Sequence, residues 1–415
     1  MPNYHIWTIG CQMNKAESER LAALFEESGY QATEDITDAD LIVINTCVVR
    51  QNAEDRAVHK LENFKPLKKA RPDMIIAVTG CWVDSNHGRL KESFPFVDYF
   101  FKAGECPPWE DKNRWSQALP KQPEPATYVP IIQGCNNFCS YCVVPYRRGR
   151  EKSRPLSEIV CEVKELAQRG TREVTLLGQN VDSYGHDLKE KPELADLLTE
   201  LNDIDGLYRI RFLTNHPKDM SRRLIQTVAR LDKVCKNITL PAQAGSNEIL
   251  KAMRRGYTIE DYRRLVNEIR SEIPDVGLVS DIIVGFPTET EAQFQQTLQL
   301  LTDIKFDTVH LAAYSPRPGT LAAREMADDV SAEDKKRRLT TLETLQANIV
   351  TEINAQLKRK TVEILVEGKQ KGKWVGRTGT DKLVFFSDSA NHMGKLVHLV
   401  VEKTSPWSLQ GTIKY

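Results

Sequence analysis

Three cysteines within eight residues, Cys135, Cys139 and Cys142, constrain this chain more than any other feature of its sequence. They directly follow a predicted strand at residues 127–132, and we call them the loop triad. Three closely spaced thiols can ligate three irons of a cubane cluster, whereas clusters that only transfer electrons usually have four cysteine ligands. A cluster with three thiolates leaves one iron open, and open metal positions are where chemistry occurs. The spacing therefore predicts an enzyme.

The first 100 residues alternate predicted strands with predicted helices. Continuous apolar runs indicate the strands, and apolar residues at helical spacing indicate the helices. In chain order these segments are strand 4–9, helix 14–28, strand 41–46, helix 52–69 and strand 74–79. Buried strands joined by helices predict an α/β domain with a parallel, doubly wound sheet.

A second set of three cysteines, Cys11, Cys47 and Cys81, follows these strands, and we call it the sheet triad. The carboxyl ends of parallel strands lie along one edge of a sheet, where ligand sites form. We therefore expect the three thiols to converge and to bind a metal. Zinc is the alternative to iron, and a closed zinc site would need a fourth ligand such as His5 or His59.

The rest of the chain predicts two further domains. Six more predicted strands alternate with helices at 127–132, 173–177, 208–213, 237–240, 277–284 and 308–312. Six β/α units predict a partial barrel of the TIM type, with functional residues after the strands. A long helix at 332–359 leads to five short strands between 362 and 414, typical of a small antiparallel barrel.

The predicted domains span residues 1–118, 121–352 and 354–415, and the proline-rich residues 102–127 are predicted to be a linker. The chain has 57 basic and 57 acidic residues, but residues 1–120 carry a net charge of −4 and residues 354–415 one of +6. A basic module predicts an arm that binds phosphate; a solvated basic face is the other explanation.

Composition points to a cytoplasmic protein. No apolar run approaches the roughly 18 residues that span a membrane, and the amino terminus does not resemble a signal peptide. Nine cysteines in a reducing compartment indicate metal or redox chemistry, not disulfides. Outside the triads, Cys106 is expected to be an incidental thiol, and Cys161 and Cys235 are expected to be packing residues.

The loop triad and its position after the first barrel strand resemble those of the radical S-adenosylmethionine enzymes. The segment Cys139-Ser-Tyr-Cys-Val-Val-Pro-Tyr-Arg-Arg-Gly-Arg-Glu-Lys-Ser-Arg-Pro155 is similar to the methylthiotransferases, specifically those of the MiaB type that act on tRNA. The C-terminal barrel resembles their RNA-binding TRAM module. Further similar segments are Gly10-Cys-Gln-Met-Asn14, Asn45-Thr-Cys47, Gly80-Cys81, Leu176-Leu-Gly-Gln-Asn-Val181, His216-Pro-Lys218, Asp281-Ile-Ile-Val-Gly-Phe-Pro287 and Tyr314-Ser-Pro-Arg-Pro-Gly-Thr320.

The resemblance implies two 4Fe–4S clusters and two molecules of S-adenosylmethionine per turnover. The loop triad would hold the cluster that binds S-adenosylmethionine and, once reduced, cleaves it to a 5′-deoxyadenosyl radical. The sheet triad would hold an auxiliary cluster that carries the sulfur to be inserted. Tyr141 would pack against the adenine of the cofactor. A radical is required because no acid–base pair can activate an aromatic C–H bond.

The implied activity is methylthiolation of C2 of N6-isopentenyladenosine beside the anticodon, favoured by Val143-Val-Pro-Tyr146 and residues 150–154. Alternatives within the family act on N6-threonylcarbamoyladenosine or on an aspartate of a ribosomal protein. An alternative of another class is a non-catalytic iron–sulfur protein that binds RNA or carries electrons. The implied partners are the tRNA anticodon stem-loop and a small electron donor such as flavodoxin or ferredoxin. The protein would be a monomer, and no particular sulfur donor is indicated.

Other residues of the similar segments are weaker candidates for cofactor binding. Arg148 and Arg150 would meet the carboxylate of S-adenosylmethionine or RNA phosphate, or be solvated loop arginines. Asn180 and Asp182 would bind S-adenosylmethionine or substrate, or form a turn. His216 would face the pocket or form a hydrogen bond within its loop.

A glycine and three departures from the family pattern complete the set. Gly245 suits a tight turn near the barrel rim. Ala244 stands where the family has serine, Thr288 where it has glycine, and Arg147 where it has threonine. These departures leave the triads unchanged. They affect the prediction of which substrate is bound, because the residues are candidates for lining the pocket.

Overall fold

The structure, a computed structural model, describes residues 1–48, 51–84 and 88–414 and divides into two compact units. The first unit comprises residues 1–122, 133–136 and 142–152, and the second comprises residues 123–132, 137–141 and 153–415. In the described part of the chain, no helix has the length and apolar character needed to cross a membrane.

The first unit contains a five-stranded sheet in which every pairing is parallel, as predicted. Its strands are β1 (Asn3–Thr8), β2 (Gln31–Ala32), β3 (Leu41–Thr46), β4 (Ile75–Gly80) and β5 (Tyr99–Phe100). Its first helices are α1 (Gln12–Glu27), α2 (Gln51–Ala70), α3 (Gly88–Ser93) and α4 (Lys112–Gln117). The strand order β2-β1-β3-β4-β5 is that of flavodoxin-like folds, which bind ligands where the order reverses, beside β1 and β3.

Helices cover both faces of this sheet because its central strand is apolar on both sides. Leu41 and Val43 of β3 belong to one core with Phe25 of α1, whereas Ile42 and Ile44 belong to the other core. Side chains of a strand alternate between faces, so one continuous apolar run supplies both cores.

Residues 102–122 are part of the first unit, so the prediction of a linker was wrong for them. The segment contains α4, and Ala118 is fully buried behind it. The Trp109 ring lies 4.6 Å from Tyr99 and stacks 6.5 Å from Phe25. Proline content correctly indicated irregular backbone, but large aromatic side chains stabilise such backbone by burying their rings.

The second unit contains six parallel strands in two three-stranded sheets, β6-β9-β10 and β11-β12-β13. A parallel bridge between Ile210 and Val234 continues the pairing from β10 towards β11, which confirms the predicted partial barrel. The strands of this part of the chain are β6 (Ala126–Pro130), β7 (Ile132–Gln133), β8 (Lys152–Ser153), β9 (Glu173–Leu177), β10 (Arg209–Phe212), β11 (Asn237–Thr239), β12 (Gly277–Val284) and β13 (Thr308–Ala313). The helices of this part of the chain are α5 (Val144–Arg148), which belongs to the first unit, and α6 (Leu156–Gln168), α7 (Leu194–Asn202), α8 (Arg222–Arg230), α9 (Asn247–Ala252), α10 (Ile259–Glu272), α11 (Glu291–Ile304), α12 (Leu321–Glu325) and α13 (Ala332–Ala355), which belong to the second.

A closed five-stranded barrel in the order β14-β15-β16-β18-β17 follows α13. Its strands are β14 (Thr361–Gln370), β15 (Lys373–Thr378), β16 (Leu383–Phe386), β17 (Leu396–Thr404) and β18 (Leu409–Ile413). All pairings are antiparallel except that of β16 with β18, so the predicted small barrel is confirmed. Ile364, Trp374 and Phe386 are among the side chains that fill its core.

Two buried arginines of β10 bind this barrel from within the second unit. Arg209 Nη1 donates to the carbonyl of Arg377 at 2.6 Å, and Arg211 Nη2 donates to that of Thr378 at 2.5 Å. Arg211 Nε also donates to Glu173 at 2.6 Å. A buried guanidinium is stable only when its charge and its donors are satisfied, so these contacts hold the barrel in place.

Thr288, where the family has glycine, adopts a left-handed backbone conformation with φ of +70°. Its N–H donates to Asp329 Oδ1 at 2.7 Å, which holds the residue in that conformation. A β-branched residue there costs roughly 1–2 kcal/mol.

We expect Thr288→Gly to raise the free energy of unfolding by about 0.5–1 kcal/mol, because the relief of backbone strain exceeds the added chain entropy of glycine. Thr290→Gly is the control, since Thr290 has φ of −79° and its side chain caps α11. Chemical denaturation should show the first variant to be more stable and the second less stable than the parent. Destabilisation by Thr288→Gly would contradict the strain.

Candidate functional site

The sheet triad lies at the carboxyl edge of the sheet, after three adjacent strands. Cys11 caps the amino terminus of α1, Cys47 follows β3 and Cys81 follows β4. The Cys81 N–H donates to the carbonyl of Thr46 at 2.9 Å. A Cβ on Gly10 would lie 3.0 Å from Cβ of Cys47, so the chain segments of β1 and β3 approach closely here. The structure thus places the three cysteines along one edge, as predicted.

Buried amides and a glycine shape this edge. Asn14 Nδ2 donates to Asn45 Oδ1 at 2.7 Å, and Asn14 Oδ1 accepts from the Cys11 thiol at 3.3 Å. Gly80 has φ of +95°, and a Cβ there would lie 2.2 Å from the carbonyl of Thr46. Only glycine fits a position that combines this conformation with this approach. These contacts fix the backbone from which the thiols project.

A buried ion pair lies beside Cys81. Arg148 Nη1 donates to Glu17 Oε1 at 2.6 Å, and Arg148 Nε donates to Cys81 Sγ at 3.1 Å. The side chains of Arg148 and Glu17 are only 2% and 9% exposed. Arg148 ends α5, in a segment that belongs to the first unit. Its guanidinium therefore binds a carboxylate and a thiol of this unit, and its predicted contact with S-adenosylmethionine or RNA phosphate stays a prediction.

The chemistry of the sheet triad fits an iron–sulfur cluster. Burial raises the pKa of the Cys81 thiol to about 11, although the Arg148 charge opposes that rise. Such a thiol is neutral near pH 7 unless a metal ion binds it, because coordination removes the proton. N–H donors to the sulfurs around a cluster are a common means of adjusting its reduction potential, and Arg148 would be such a donor to a cluster bound by Cys81.

The zinc alternative finds no support in the described residues. His5 Nδ1 donates to the carbonyl of Thr33 at 2.9 Å, and His59 is exposed on α2. Within residues 1–48, 51–84 and 88–414, no three His, Cys, Asp or Glu side chains form a ligand set for a single ion. Thiolates of a cubane bind different irons, so the triads need not point at one centre.

The loop triad is held by backbone contacts within each unit. In the first unit, the Cys135 N–H donates to the carbonyl of Gly149 at 3.1 Å. In the second unit, the N–H of Ser140, next to Cys139, donates to the carbonyl of Met253 at 3.1 Å. Phe138 has φ of +46°, which turns the chain between the first two cysteines. Cys139 is buried, whereas Cys135 and Cys142 are partly exposed.

Arg255, which the sequence analysis did not single out, binds Cys139. Its Nη1 donates to Cys139 Sγ at 3.3 Å, its Nε to the Tyr257 hydroxyl at 3.2 Å and its Nη2 to the carbonyl of Pro241 at 3.4 Å. The residue is only 6% exposed. No carboxylate of the described residues forms an ion pair with it. The consecutive arginines 254 and 255 after α9 were the available signal, but nothing in the sequence linked them to a cysteine.

Asp182 organises the loops after β9 and β10. Its carboxylate accepts from Asn215 Nδ2 at 2.5 Å and from the His216 N–H at 2.8 Å. Burial raises its pKa to about 7, against the effect of these hydrogen bonds. These contacts show Asp182 positioning the neighbouring loop, and its predicted role in cofactor binding stays a prediction.

His216 is buried in its neutral form beside the charged groups of its loop. Burial, with the charges of Arg255 and Lys218, lowers its pKa to about 2. Nδ1 accepts from the Lys218 N–H at 3.2 Å, so the proton is on Nε2. Nε2 is buried and has no hydrogen-bond partner among the described residues.

Three amide oxygens near the carboxyl ends of the barrel strands are also buried without a hydrogen-bond partner in the described residues. These oxygens are Asn180 Oδ1, Asn215 Oδ1 and Gln243 Oε1. A buried polar atom without a hydrogen bond costs about 1–3 kcal/mol, and native proteins contain few of them. Several at one barrel rim favour a polar ligand there, so Asn180 remains a candidate for cofactor binding.

The remaining candidates differ in their surroundings. The Tyr141 ring is partly buried, with its centroid 6.4 Å from that of Phe286, and Arg150 is exposed. A Cβ on Gly245 would lie 2.5 Å from the carbonyl of Gln296. The chain bends at Gly245, and the close approach of α11 also requires a glycine there.

The two other departures from the family pattern do not alter a thiol. Ala244 is 1% exposed, in the buried backbone before Gly245. Arg147 Nη1 forms an ion pair with Asp84 at 2.6 Å in the first unit. Thr288, the third, is the strained residue described above.

None of the nine cysteines forms a disulfide bond, and all nine lie in the described residues. Cys235 is buried, as predicted for a packing residue. Cys161 is exposed on the outer face of α6, so its predicted packing role was wrong. Cys106 is partly exposed, and its thiol contacts the carbonyl oxygens of Pro107 and Glu110 at 3.5 Å.

Three family models match the chain in the order of its domains. Uncharacterized protein family UPF0004 matches residues 3–102, the radical SAM superfamily matches residues 129–301, and the TRAM domain matches residues 355–414. Solved structures share the fold at low identity. A radical S-adenosylmethionine methyltransferase from Kitasatospora setae, solved with cobalamin and a [4Fe-4S] cluster, aligns with a TM-score of 0.54 and 14% identity over 90% of this chain and 81% of its own.

Curated relatives match along the whole chain. A protein of Dehalococcoides mccartyi strain CBDB1 is 55% identical over 413 residues, which cover 100% of this chain and 99% of the relative. A protein of Roseiflexus sp. strain RS-1 is 47% identical, covering 99% and 89%. A protein of Thermoanaerobacter pseudethanolicus is 44% identical, covering 99% and 92%. All three are named tRNA-2-methylthio-N(6)-dimethylallyladenosine synthase; dimethylallyl is another name for the isopentenyl substituent.

Proposed function

This chain belongs to the family of tRNA-2-methylthio-N6-dimethylallyladenosine synthases, and we propose that its two cysteine triads divide the family's reaction between them. The loop triad holds the 4Fe–4S cluster that binds S-adenosylmethionine, and the sheet triad holds the auxiliary 4Fe–4S cluster. When bound, these groups supply the one-electron chemistry that activates C2 of the adenosine and the sulfur that becomes its methylthio group. The enzyme is a transferase that uses two molecules of S-adenosylmethionine per turnover.

The observation that carries this proposal is the occurrence of two separate sets of three thiols. The other cysteines have different surroundings. Cys106 contacts carbonyl oxygens, Cys161 is exposed on α6, and Cys235 is buried where the charges of Arg211 and Glu173 act on it. A three-thiol site leaves one iron for a substrate, and a reaction that must bind both S-adenosylmethionine and a sulfur atom needs two such irons.

The protein's own residues protect and orient these sites. Cys47 and Cys81 are buried, whereas Cys11 is exposed, so the sheet triad is accessible from the side of Cys11. Arg148 fixes the Cys81 thiol by hydrogen bonding, and Glu17 fixes Arg148 in turn. A cluster held there would be open on the side of Cys11, and the buried Cys47 and Cys81 would shield its other side from water.

The C-terminal barrel supports tRNA as the macromolecular substrate. Nine of its basic residues are exposed and have no ion-pair partner among the described residues: Lys358, Arg359, Lys360, Lys369, Lys371, Lys373, Lys395, Lys403 and Lys414. Such residues release counterions when they contact phosphates, which is the main source of affinity for nucleic acid. We further propose that the protein acts as a cytoplasmic monomer on the anticodon stem-loop, with a flavodoxin or ferredoxin as electron donor.

Analysis of modified nucleosides tests this function and distinguishes it from its alternatives. Reconstituted protein with S-adenosylmethionine and a reductant is incubated with tRNA that carries N6-dimethylallyladenosine, then with tRNA that carries N6-threonylcarbamoyladenosine. Mass spectrometry of the digested tRNA should find 2-methylthio-N6-dimethylallyladenosine in the first reaction only. A methylthio product in the second reaction alone would contradict the assigned substrate, and no product in either would contradict the activity.

A further inference from the structure

Each triad has one cysteine whose sulfur accepts a hydrogen bond from a buried arginine, but the two arginines differ in charge balance. Arg148, beside Cys81, is paired with Glu17. Arg255, beside Cys139, forms no ion pair with the described residues and donates to a thiol, a hydroxyl and a carbonyl. The positive charge of Arg148 beside Cys81 is therefore neutralised by a carboxylate, whereas that of Arg255 beside Cys139 is not neutralised by any carboxylate of the described residues.

We infer that this difference gives the two clusters different reduction potentials. Arg255 is the residue that raises the potential of the S-adenosylmethionine-binding cluster, which is therefore the easier of the two to reduce. The inference rests on the proposed function, because it requires a cluster at each triad.

The physical argument begins with the cost of burying a charge. A guanidinium removed from water without a counter-anion is strongly destabilised, and proteins seldom keep one. All three groups that Arg255 binds are neutral when Cys139 is a thiol. A cluster held by three thiolates carries a net negative charge, so it would supply the anion that Arg255 does not find among the described residues.

Reduction adds one more negative charge to a cluster, and a nearby fixed cation favours the product. The effect is strong where water is excluded, and Arg255 is only 6% exposed. Hydrogen bonds to sulfur also raise the potential, but the two arginines donate ones of similar length, 3.1 Å to Cys81 and 3.3 Å to Cys139. The two arginines differ in the Glu17 carboxylate, which neutralises the charge of Arg148, so that Arg148 gives the auxiliary cluster little of this assistance.

The difference has a functional consequence. An electron that reaches the protein serves catalysis when it reduces the cluster that cleaves S-adenosylmethionine. If the auxiliary cluster were reduced first, the electron would lie on the group that must instead deliver sulfur. Arg255, which forms no ion pair in the described part of the chain, and Arg148, which is paired with Glu17, together direct the electron to the loop triad.

Redox titration followed by electron paramagnetic resonance tests the inference without measuring activity. Each cluster is isolated by replacing the three cysteines of the other triad with alanine, and titrations are done without S-adenosylmethionine. In the parent background, the cluster of the loop triad should have the higher midpoint potential. Arg255→Gln should lower that potential by an amount equivalent to about a tenfold change in the equilibrium constant, or 59 mV for one electron. Arg255→Lys, which keeps the charge, should lie between the two.

Glu17→Gln is the complementary variant, measured on the cluster of the sheet triad. It leaves Arg148 in place but removes the carboxylate that neutralises it, so the potential of that cluster should rise.

An unchanged potential in Arg255→Gln with a full iron content would overturn the inference, as would a lower parent potential at the loop triad than at the sheet triad. Should Arg255→Gln lose its cluster, Arg255→Lys decides: a potential that stays closer to that of the parent than to the fall expected for glutamine supports a charge effect, and a fall as large as that expected for glutamine overturns it. Failure of the single-triad proteins to bind iron at all would instead contradict the proposed function.

Discussion

Replacing Cys81 with alanine is expected to abolish methylthiolation of tRNA while S-adenosylmethionine is still cleaved. Cys81 belongs to the sheet triad alone, so its loss removes one thiolate of the auxiliary cluster and leaves the loop triad complete. The iron content should fall from about eight towards about four atoms per chain, as one of two four-iron clusters is lost. Iron analysis, chromatography of 5′-deoxyadenosine and mass spectrometry of tRNA nucleosides measure the three effects.

Cys161→Ala is the matched control because Cys161 is exposed on α6 and belongs to neither triad. It should retain iron, cleavage and methylthiolation. A second variant, Cys47→Ala, should reproduce the loss of methylthiolation, which excludes an effect peculiar to the hydrogen bond between Arg148 and Cys81. Methylthiolation by Cys81→Ala at the parent rate would refute the assignment of the auxiliary cluster.

Exchanging Lys369, Lys371 and Lys373 for glutamine is expected to weaken tRNA binding by about tenfold to hundredfold at low salt. All three are exposed at the turn between β14 and β15 and have no ion-pair partner among the described residues. Each phosphate contact contributes about 0.7–0.9 to the slope of log affinity against log salt, so the slope should fall by about 2–3. Filter binding over a range of salt concentrations measures both quantities.

Substitution is a better test than removal of the C-terminal barrel. Deleting residues 361–415 would expose the buried donors of Arg209 and Arg211, which bind backbone carbonyls of that barrel. Breaking buried charged contacts of this kind typically costs about 3–5 kcal/mol, so weaker binding would then reflect misfolding.

The matched control exchanges three exposed lysines of the first unit for glutamine: Lys65, Lys69 and Lys91. Lys65 and Lys69 lie near the carboxyl end of α2, the helix that comes after β3 and Cys47 in the chain. Their exchange should leave the salt slope unchanged. Equal effects of the two triple variants would show that the C-terminal barrel makes no special contribution to binding RNA.

Most of the fold could be predicted from the sequence because its evidence is local. The apolar run Leu41–Thr46 identified a strand buried on both faces, and that in turn required helices on both sides of a parallel sheet. The parallel sheet then placed three cysteines at one edge without any knowledge of distances. The β-strands of both barrels were identified by the same patterns.

The charged contacts could not be predicted because their partners are distant in sequence. Arg148 is 131 residues from Glu17, and Arg255 is 116 residues from Cys139. Nothing in an arginine's neighbours indicates which buried group it will meet. Trp109 illustrates the same limit, since its packing against Phe25 is not apparent from the proline-rich segment around it.

The central claim is that two three-thiol sites each hold a four-iron cluster with one open iron. Anaerobic reconstitution of the full chain, with metal analysis and assay of S-adenosylmethionine cleavage after reduction, tests it most directly. The account predicts about eight irons per chain and formation of 5′-deoxyadenosine. Zinc in place of iron, or eight irons without cleavage, would contradict it.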